Sequence, residues 1–388
     1  MTKATRLLRN IYHLFYRSIS YVFVKFTNIS NNRILMSSYA FTRYSCNPKY
    51  ITDYLLKNKS GKYDIIWCFR KDIPLPLLPD EIKVVRWRTL KYFYYLATSK
   101  FIISNVRLGH ASSHLVKRKG QKYIMTWHSS MGIKKVEKDG NLDREYIELA
   151  KSDSKDCDLI FSGCKFRSNI IRSSFWYSGA ISEFGTPRND MLFQDNSQLK
   201  KAIYNRYSIP KGNKILLYAP TFRDNYKLDN YKLEWGDAKY ILQQKFKDNY
   251  TILLRLHPTF LSNKHNVDTT KMGSGLIDVT DYEDMQELLS ISDILITDYS
   301  SSIFDFALLK KPIFIYASDY LEYNRGTYLA LNELPFPFAS DNTSLLNSIQ
   351  EFDIDKYQNA LHIFNDSVIG SFEKGHAAEM FCKWMEEQ

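Results

Sequence analysis

The chain has 388 residues, more than one ordinary core accommodates, so two domains are the default. With 44% hydrophobic and 24% charged residues it reads as globular rather than disordered, and five cysteines without a CxxC pair argue against a zinc site or a disulfide framework and fit a reducing compartment. The formal net charge of +11 admits an anionic membrane, an anionic substrate or nucleic acid as partner, so position must choose among them.

Much of the excess sits at one end. Residues 1–52 contain no Asp or Glu but carry Lys3, Arg6, Arg9, Arg17, Lys25, Arg33, Arg43 and Lys49. Within residues 1–30, Leu8, Ile11, Tyr12, Phe15, Ile19, Val22 and Phe26 recur at helical spacing, with Arg6, Arg9, His13 and Arg17 on the other face. This is a basic amphipathic helix of the kind that lies in a membrane interface. The other reading is a helix packed on its own protein or on a partner chain. Charges interrupt the apolar runs well short of the roughly 20 residues a transmembrane span needs. A secretory signal is not indicated, because Lys25 breaks the apolar core and no small-residue cleavage site follows.

Residues 31–195 read as a first domain. Strand-like runs are Arg33–Ser38, Asp64–Phe69, Ile82–Trp87, Phe101–Asn105, Tyr123–Trp127 and Asp158–Gly163, most of them separated by helix-length segments. Asn47-Pro48 predicts a helix start, as cap and first helical residue. Strands alternating with helices imply an open parallel α/β sheet, in which ligands bind beyond the carboxyl ends of the strands. His128 follows such a strand directly, in the run His128-Ser129-Ser130-Met131-Gly132-Ile133-Lys134-Lys135. It is placed to act as a general base or, equally, to cap a turn. Ile181–Gly185 and the turn Thr186-Pro187-Arg188-Asn189-Asp190 close the domain, followed by the polar stretch around Gln194–Lys200.

The pattern restarts in residues 196–388. Lys214–Tyr218 runs into Ala219-Pro220-Thr221-Phe222-Arg223, where an arginine past a strand suits phosphate contact or a surface salt bridge. Thr251-Ile252-Leu253-Leu254-Arg255-Leu256-His257-Pro258 sets a second histidine past a strand, with Arg255 two residues before it on the same face. Gly275–Thr280 comes next. Ile294–Tyr299 then leads into Ser300-Ser301-Ser302-Ile303-Phe304-Asp305-Phe306, a strand-to-helix turn that reads either as a phosphate cradle or as an ordinary Ser-capped helix. Pro312–Tyr316 and the run Tyr320–Tyr328, containing Arg325-Gly326, complete the half, and the C-terminus is helical. If the halves face each other across a cleft, His128 and His257 converge. The chain has no GxGxxG, GxxxxGK[ST] or HExxH motif, so phosphate handling without a P-loop, and without a metal or other cofactor, is expected.

Taken together and in order, Asn47-Pro48-Lys49, Trp127-His128, Thr186–Asp190, Tyr218–Arg223, Arg255–Pro258, Thr297–Ser301 with Asp305, and Arg325-Gly326 resemble the CDP-glycerol glycerophosphotransferases of teichoic acid and capsule synthesis. The resemblance implies a GT-B-like fold of two Rossmann-like domains, residues 31–195 on the acceptor side and residues 196–388 binding the CDP donor. It implies transfer of glycerol phosphate, or ribitol phosphate, from a CDP-alditol to a lipid-linked or polymeric acceptor hydroxyl. It also implies a peripheral enzyme at the cytoplasmic face of the bacterial membrane. On this reading His128 is the base, and His257 stabilises charge on the pyrophosphate. Arg223, Arg255, Thr297, Asp298, Ser300, Ser301, Arg325 and Lys134 contact substrate, Asp298 being read either as a donor contact or as a cap. Where the family reads His-Gly-Thr-Pro, this chain has His128-Ser129-Ser130-Met131, with Gly132 three residues later than expected, which bears on acceptor identity. Two other classes compete. One is a GT-B nucleotide-sugar glycosyltransferase, distinguished by its released nucleotide. The other is a non-catalytic membrane or nucleic-acid binder. Nucleic acid is not expected, since the basic residues lack interleaved exposed aromatics. Homo-oligomerisation is left open.

Overall fold

The computed structural model describes residues 3–109, 114–221, 223, 233–257, 272, 275–323 and 326–388, with side chains from residue 11 onward. The chain forms two compact units. The first comprises Met1–His128, Glu137–Asp190 and Phe372–Gln388; the second comprises Ser129–Val136 and Met191–Ser371. The division falls at Asp190 rather than in the polar stretch after it, and two features were not anticipated from the sequence. The last residues return to the first unit, and eight residues directly after His128 belong to the second.

The first unit carries helix α1 (Lys3–Phe26), strand β1 (Ser30–Ser37), α2 (Cys46–Asn58), β2 (Asp64–Phe69), β3 (Lys83–Arg86), α3 (Leu90–Thr98), β4 (Ser99–Ser104), β5 (Lys122–Met125), α4 (Arg144–Asp156), β6 (Leu159–Phe161), α5 (Lys165–Ser174) and β7 (Ala180–Ser182). Its seven strands run in the order β3-β2-β1-β4-β5-β6-β7, and every pairing is parallel. Apolar residues fill the strands on both faces, as a helix-covered parallel sheet requires. Ile34, Met36, Trp67, Phe69, Ile103 and Phe161 share one core cluster with Phe381 and Met385 of the C-terminal helix Ala377–Glu387. That helix starts on Asp190, whose carboxylate accepts from Ala377 N at 2.9 Å and Ala378 N at 2.8 Å, which fixes the returning segment to the first unit.

Helix α1 packs against α3. Tyr16 stacks on Phe93, Phe23 meets Tyr94 edge-on, and the buried Ser20 hydroxyl donates to His114 O at 2.7 Å. Its other side is bare. Ile11, Leu14, Phe15, Tyr21, Val22 and Phe26 are exposed, Leu14 by 67% and Phe26 by 75%. Among the described residues no helix is long and apolar enough to cross a membrane.

The second unit carries α6 (Ser197–Arg206), β8 (Lys214–Tyr218), α7 (Trp235–Phe246), β9 (Tyr250–Leu254), β10 (Leu276–Asp278), α8 (Met285–Ile291), β11 (Ile294–Thr297), α9 (Ser302–Ala307), β12 (Ile313–Tyr316), β13 (Phe338–Ala339), α10 (Asn342–Gln350) and α11 (Ile354–Ile363). The order is β10-β9-β8-β11-β12-β13, again all parallel. Both sheets therefore have the doubly wound order of a dinucleotide-binding fold, with the chain reversing direction between β1 and β4 in one and between β8 and β11 in the other. The described part of the run Tyr320–Tyr328 holds a turn and an antiparallel bridge from Thr327 to Lys134. The edge strand β13, two residues long and preceded by Pro337, carried no readable strand signal.

Candidate functional site

Each unit gathers its singled-out residues at its own reversal point, beyond the carboxyl ends of its strands. In the first unit, Asn105 follows β4 and its side-chain oxygen accepts from Tyr39 N, just past β1, at 2.7 Å. Its carbonyl lies 3.1 Å from His128 Nδ1. A carbonyl only accepts, so Nδ1 carries the proton in this bond, and in the neutral ring Nε2 then holds the lone pair of a base. Trp127, at φ 52, turns the chain out of the strand, and its ring stacks on the imidazole at 4.6 Å. A non-glycine residue at positive φ costs on the order of 1–3 kcal/mol and has to be held by its surroundings. The holding groups are Asn47 and Arg188. Asn47 Nδ2 donates to Thr126 O and Trp127 O, each at 3.1 Å, while Asn47 Oδ1 accepts from Arg188 N at 3.0 Å. Arg188 Nη1 in turn donates to His128 O at 2.8 Å. Asn47 is thus not the cap expected from Asn47-Pro48: α2 begins at Cys46, and the amide braces the histidine's backbone.

In the second unit, several residues expected to bind substrate make contacts within the scaffold. The Thr297 hydroxyl donates to Ala219 O at 2.6 Å, tying β11 to the end of β8. Asp298 accepts from Thr221 N at 2.9 and 3.0 Å and pairs with Arg223, so it caps the turn, the second of its two readings. Arg223 is buried between Asp298 and Asp319 and lies over the stacked rings of Tyr299 and Tyr323. Its guanidinium is balanced by these two carboxylates. Arg255 Nη1 donates to the carbonyls of Val279 at 2.9 Å, Thr280 at 2.6 Å and Tyr282, bracing the turn after β10 rather than facing outward with His257. His257 itself is exposed, three residues past the end of β9.

The turn before α9 keeps its hydroxyls partly open. Ser300 Oγ lies 2.8 Å from Ser302 Oγ and accepts from Ser302 N at 3.3 Å, while Ser301 makes no side-chain cap. With only six residues, α9 contributes a weak dipole, so serine hydroxyls rather than the helix carry any anion contact here. Lys134 is half-buried beside Thr327. Arg325 lies outside the described residues. Among the described residues no group of His, Cys, Asp or Glu side chains could hold a metal ion.

The model of the CDP-glycerol:poly(glycerophosphate) glycerophosphotransferase family matches residues 19–386. The chain belongs to that family. The chain is 32% identical over 367 residues to the teichoic acid poly(glycerol phosphate) polymerase of Bacillus spizizenii, covering 90% of each protein. It is 30% identical to the polymerase of that name from Staphylococcus epidermidis, where it spans 91% of itself and 50% of the relative. Among solved structures, that of the wall teichoic acid polymerase TagF in a variant soaked with CDPG is similar at 27% identity and a TM-score of 0.81, over 100% of this chain and 98% of that one. The two Rossmann-like units are accordingly those of a GT-B-like glycerophosphotransferase. Arg188 and Asp305 stand in the family motifs with no role readable from the sequence, Asn47 reads there as a helix cap, and Asn105 is legible only as a polar residue ending a strand.

Proposed function

We propose that this glycerophosphotransferase transfers glycerol phosphate from CDP-glycerol to a hydroxyl of a lipid-linked or polymeric teichoic acid acceptor. The acceptor oxygen attacks the phosphorus that bears glycerol, a new P–O bond forms, the bond to the cytidylate breaks, and CMP leaves. The proton of the acceptor hydroxyl passes to His128 Nε2. The observation that carries this assignment is the Nδ1 contact to Asn105 O, which leaves Nε2 as the basic atom. His257 hydrogen-bonds the pyrophosphate as charge develops on it, and Ser300 and Ser301 hold its oxygens. Lys134 and Arg325 supply positive charge. Thr297, Asp298, Arg223 and Arg255 act behind these groups by fixing the turns that present them.

Helix α1 seats the enzyme on the cytoplasmic face of an anionic membrane, where a lipid-linked acceptor is found. Its outward residues Ile11, Leu14, Phe15, Val22 and Phe26 span an arc of roughly 120° at helical pitch, with the exposed Lys25 inside that arc and the exposed Arg17 roughly 60° beyond it.

The test is nucleotide release. With a lipid-linked acceptor analogue, CDP-glycerol is expected to yield CMP faster than CDP-ribitol does. Release of UDP or GDP from a sugar donor, with no CMP from either alditol, contradicts the proposal.

A further inference from the structure

We propose that Ser130 and Asp305 form a positioning pair for the general base, an inference that rests on the reading of His128 given above. The segment Ser129–Val136 belongs to the second unit although the chain on either side of it belongs to the first. It is fastened along its length. Ser130 Oγ donates to Asp305 Oδ1 at 2.7 Å, Tyr328 N donates to Ile133 O at 2.6 Å, Lys134 bridges Thr327, and Lys135 N donates to Gly326 O at 3.1 Å. Ser130, Met131 and Ile133 are buried.

The Ser130–Asp305 bond is the fastening nearest His128. A hydroxyl donating to a carboxylate makes a short, charge-assisted bond, about twice as strong as a neutral one. Asp305 is 1% exposed, so this bond is sheltered from water. Gln286 Nε2 donates to the other carboxylate oxygen at 3.1 Å and fixes the plane of the group. Ser130 follows His128 by two residues, at most about 7 Å of chain, so pinning Ser130 limits where the backbone of His128 can go.

The same helix serves the donor side. Asp305 projects from α9, whose N-terminal turn carries Ser300 and Ser301. Gly132 passes over that turn: a Cβ built on it would lie 3.8 Å from Ser301 Cβ. One short helix therefore pins the segment leading from the base and carries the serines proposed to hold the pyrophosphate. Ser130 touches no reacting atom in this scheme. It acts through His128.

The experiment measures kcat and KM for CMP release from CDP-glycerol in the full chain, with a lipid-linked acceptor analogue, for Ser130→Ala, Ser130→Thr and His128→Ala. Ser130→Ala is expected to lower kcat between about 10- and 100-fold, the range for a misplaced catalytic group, with KM for CDP-glycerol unchanged. Ser130→Thr, which keeps the hydroxyl, restores most of kcat. A purely structural bond would lower Tm and leave kcat per folded molecule intact; that result overturns the inference, as does a raised KM at unchanged kcat. If Ser130→Ala does not fold, Ser130→Cys, whose thiol is a weak donor, takes its place with the same expectations. An active His128→Ala removes the reading of the base itself. An inactive His128→Ala beside a fully active Ser130→Ala removes only the positioning role.

Discussion

Arg223 and Asp298 form a buried ion pair, Nη1 to Oδ2 at 2.9 Å, with side chains 8% and 1% exposed. Asp298 also accepts from Thr221 N, and Asp319 closes the other side of the guanidinium. The pair joins the end of β11 to the end of β8, the two strands between which the chain reverses. Asp298→Ala strips Arg223 of one buried counter-charge and Thr221 N of its acceptor. The expected cost is roughly 3–5 kcal/mol, the range for breaking a buried pair on one side. Urea denaturation checks it; an unshifted midpoint would mean that the pair contributes no stability.

Acid should loosen α1. His114 lies under this helix, stacked on Tyr16, with Nε2 3.1 Å from Arg88 Nε and its carbonyl accepting from Ser20. Burial, then the charges of Arg88 and His13, push its pKa down to about 3. The folded state therefore favours the neutral ring. Its contribution is complete above the ordinary value near 6.5 and is lost as pH falls from there toward 3. The protection of amides in residues 16–26, relative to their intrinsic exchange rates, should fall between pH 6 and pH 4, and His114→Phe should flatten that fall. An equal loss of protection in both proteins would exclude His114 as its source.

Asp190 predicts a slope of the opposite sign. Burial raises its pKa to about 6 against the two N–H groups of the C-terminal helix and His376, which pull it down. A carboxyl raised on folding stabilises most when protonated, so its contribution falls as pH climbs from about 4 to 6. In Asp190→Asn, stability should fall less over that interval than in the parent. An identical difference between pH 4 and pH 6 in both proteins, measured by denaturant titration, argues against a raised pKa.

The outward face of α1 can be tested apart from the chemistry. Replacing Phe15, Val22 and Phe26 together by serine removes three exposed apolar side chains at little cost to the fold, since none of them is buried. Binding to vesicles containing anionic lipid should drop at least about tenfold, by the loss of apolar area at the interface. Release of CMP with a water-soluble acceptor should be unchanged. Undiminished vesicle binding would assign the face to another partner.

Most strands were legible because a parallel sheet buried on both faces writes itself as uninterrupted apolar runs, as in Asp64–Phe69 and Lys214–Tyr218. The histidines stood out for a related reason: an imidazole directly after such a run marks the ligand-binding edge of the sheet. What each polar neighbour does was less readable. Thr297, Asp298, Arg223 and Arg255 have the chemistry of anion ligands, yet their partners, Ala219, Thr221, Asp319 and Val279, come from other segments. A one-dimensional pattern cannot show that an arginine is already neutralised. Nor could periodicity show that Ser129–Val136 leaves the unit on both sides of it, because the bonds that hold it reach Asp305 and Gly326, far along the chain.

In the proposed reaction His128 is the base and His257 stabilises the leaving cytidylate. Single-turnover release of CMP from CDP-glycerol, compared among the parent chain, His128→Ala and His257→Ala, decides both roles. Removal of a general acid–base group typically costs roughly 100- to 10,000-fold, so each variant should fall by that order while keeping the circular dichroism of the parent. Near-parental release by either variant would contradict the role given to that histidine.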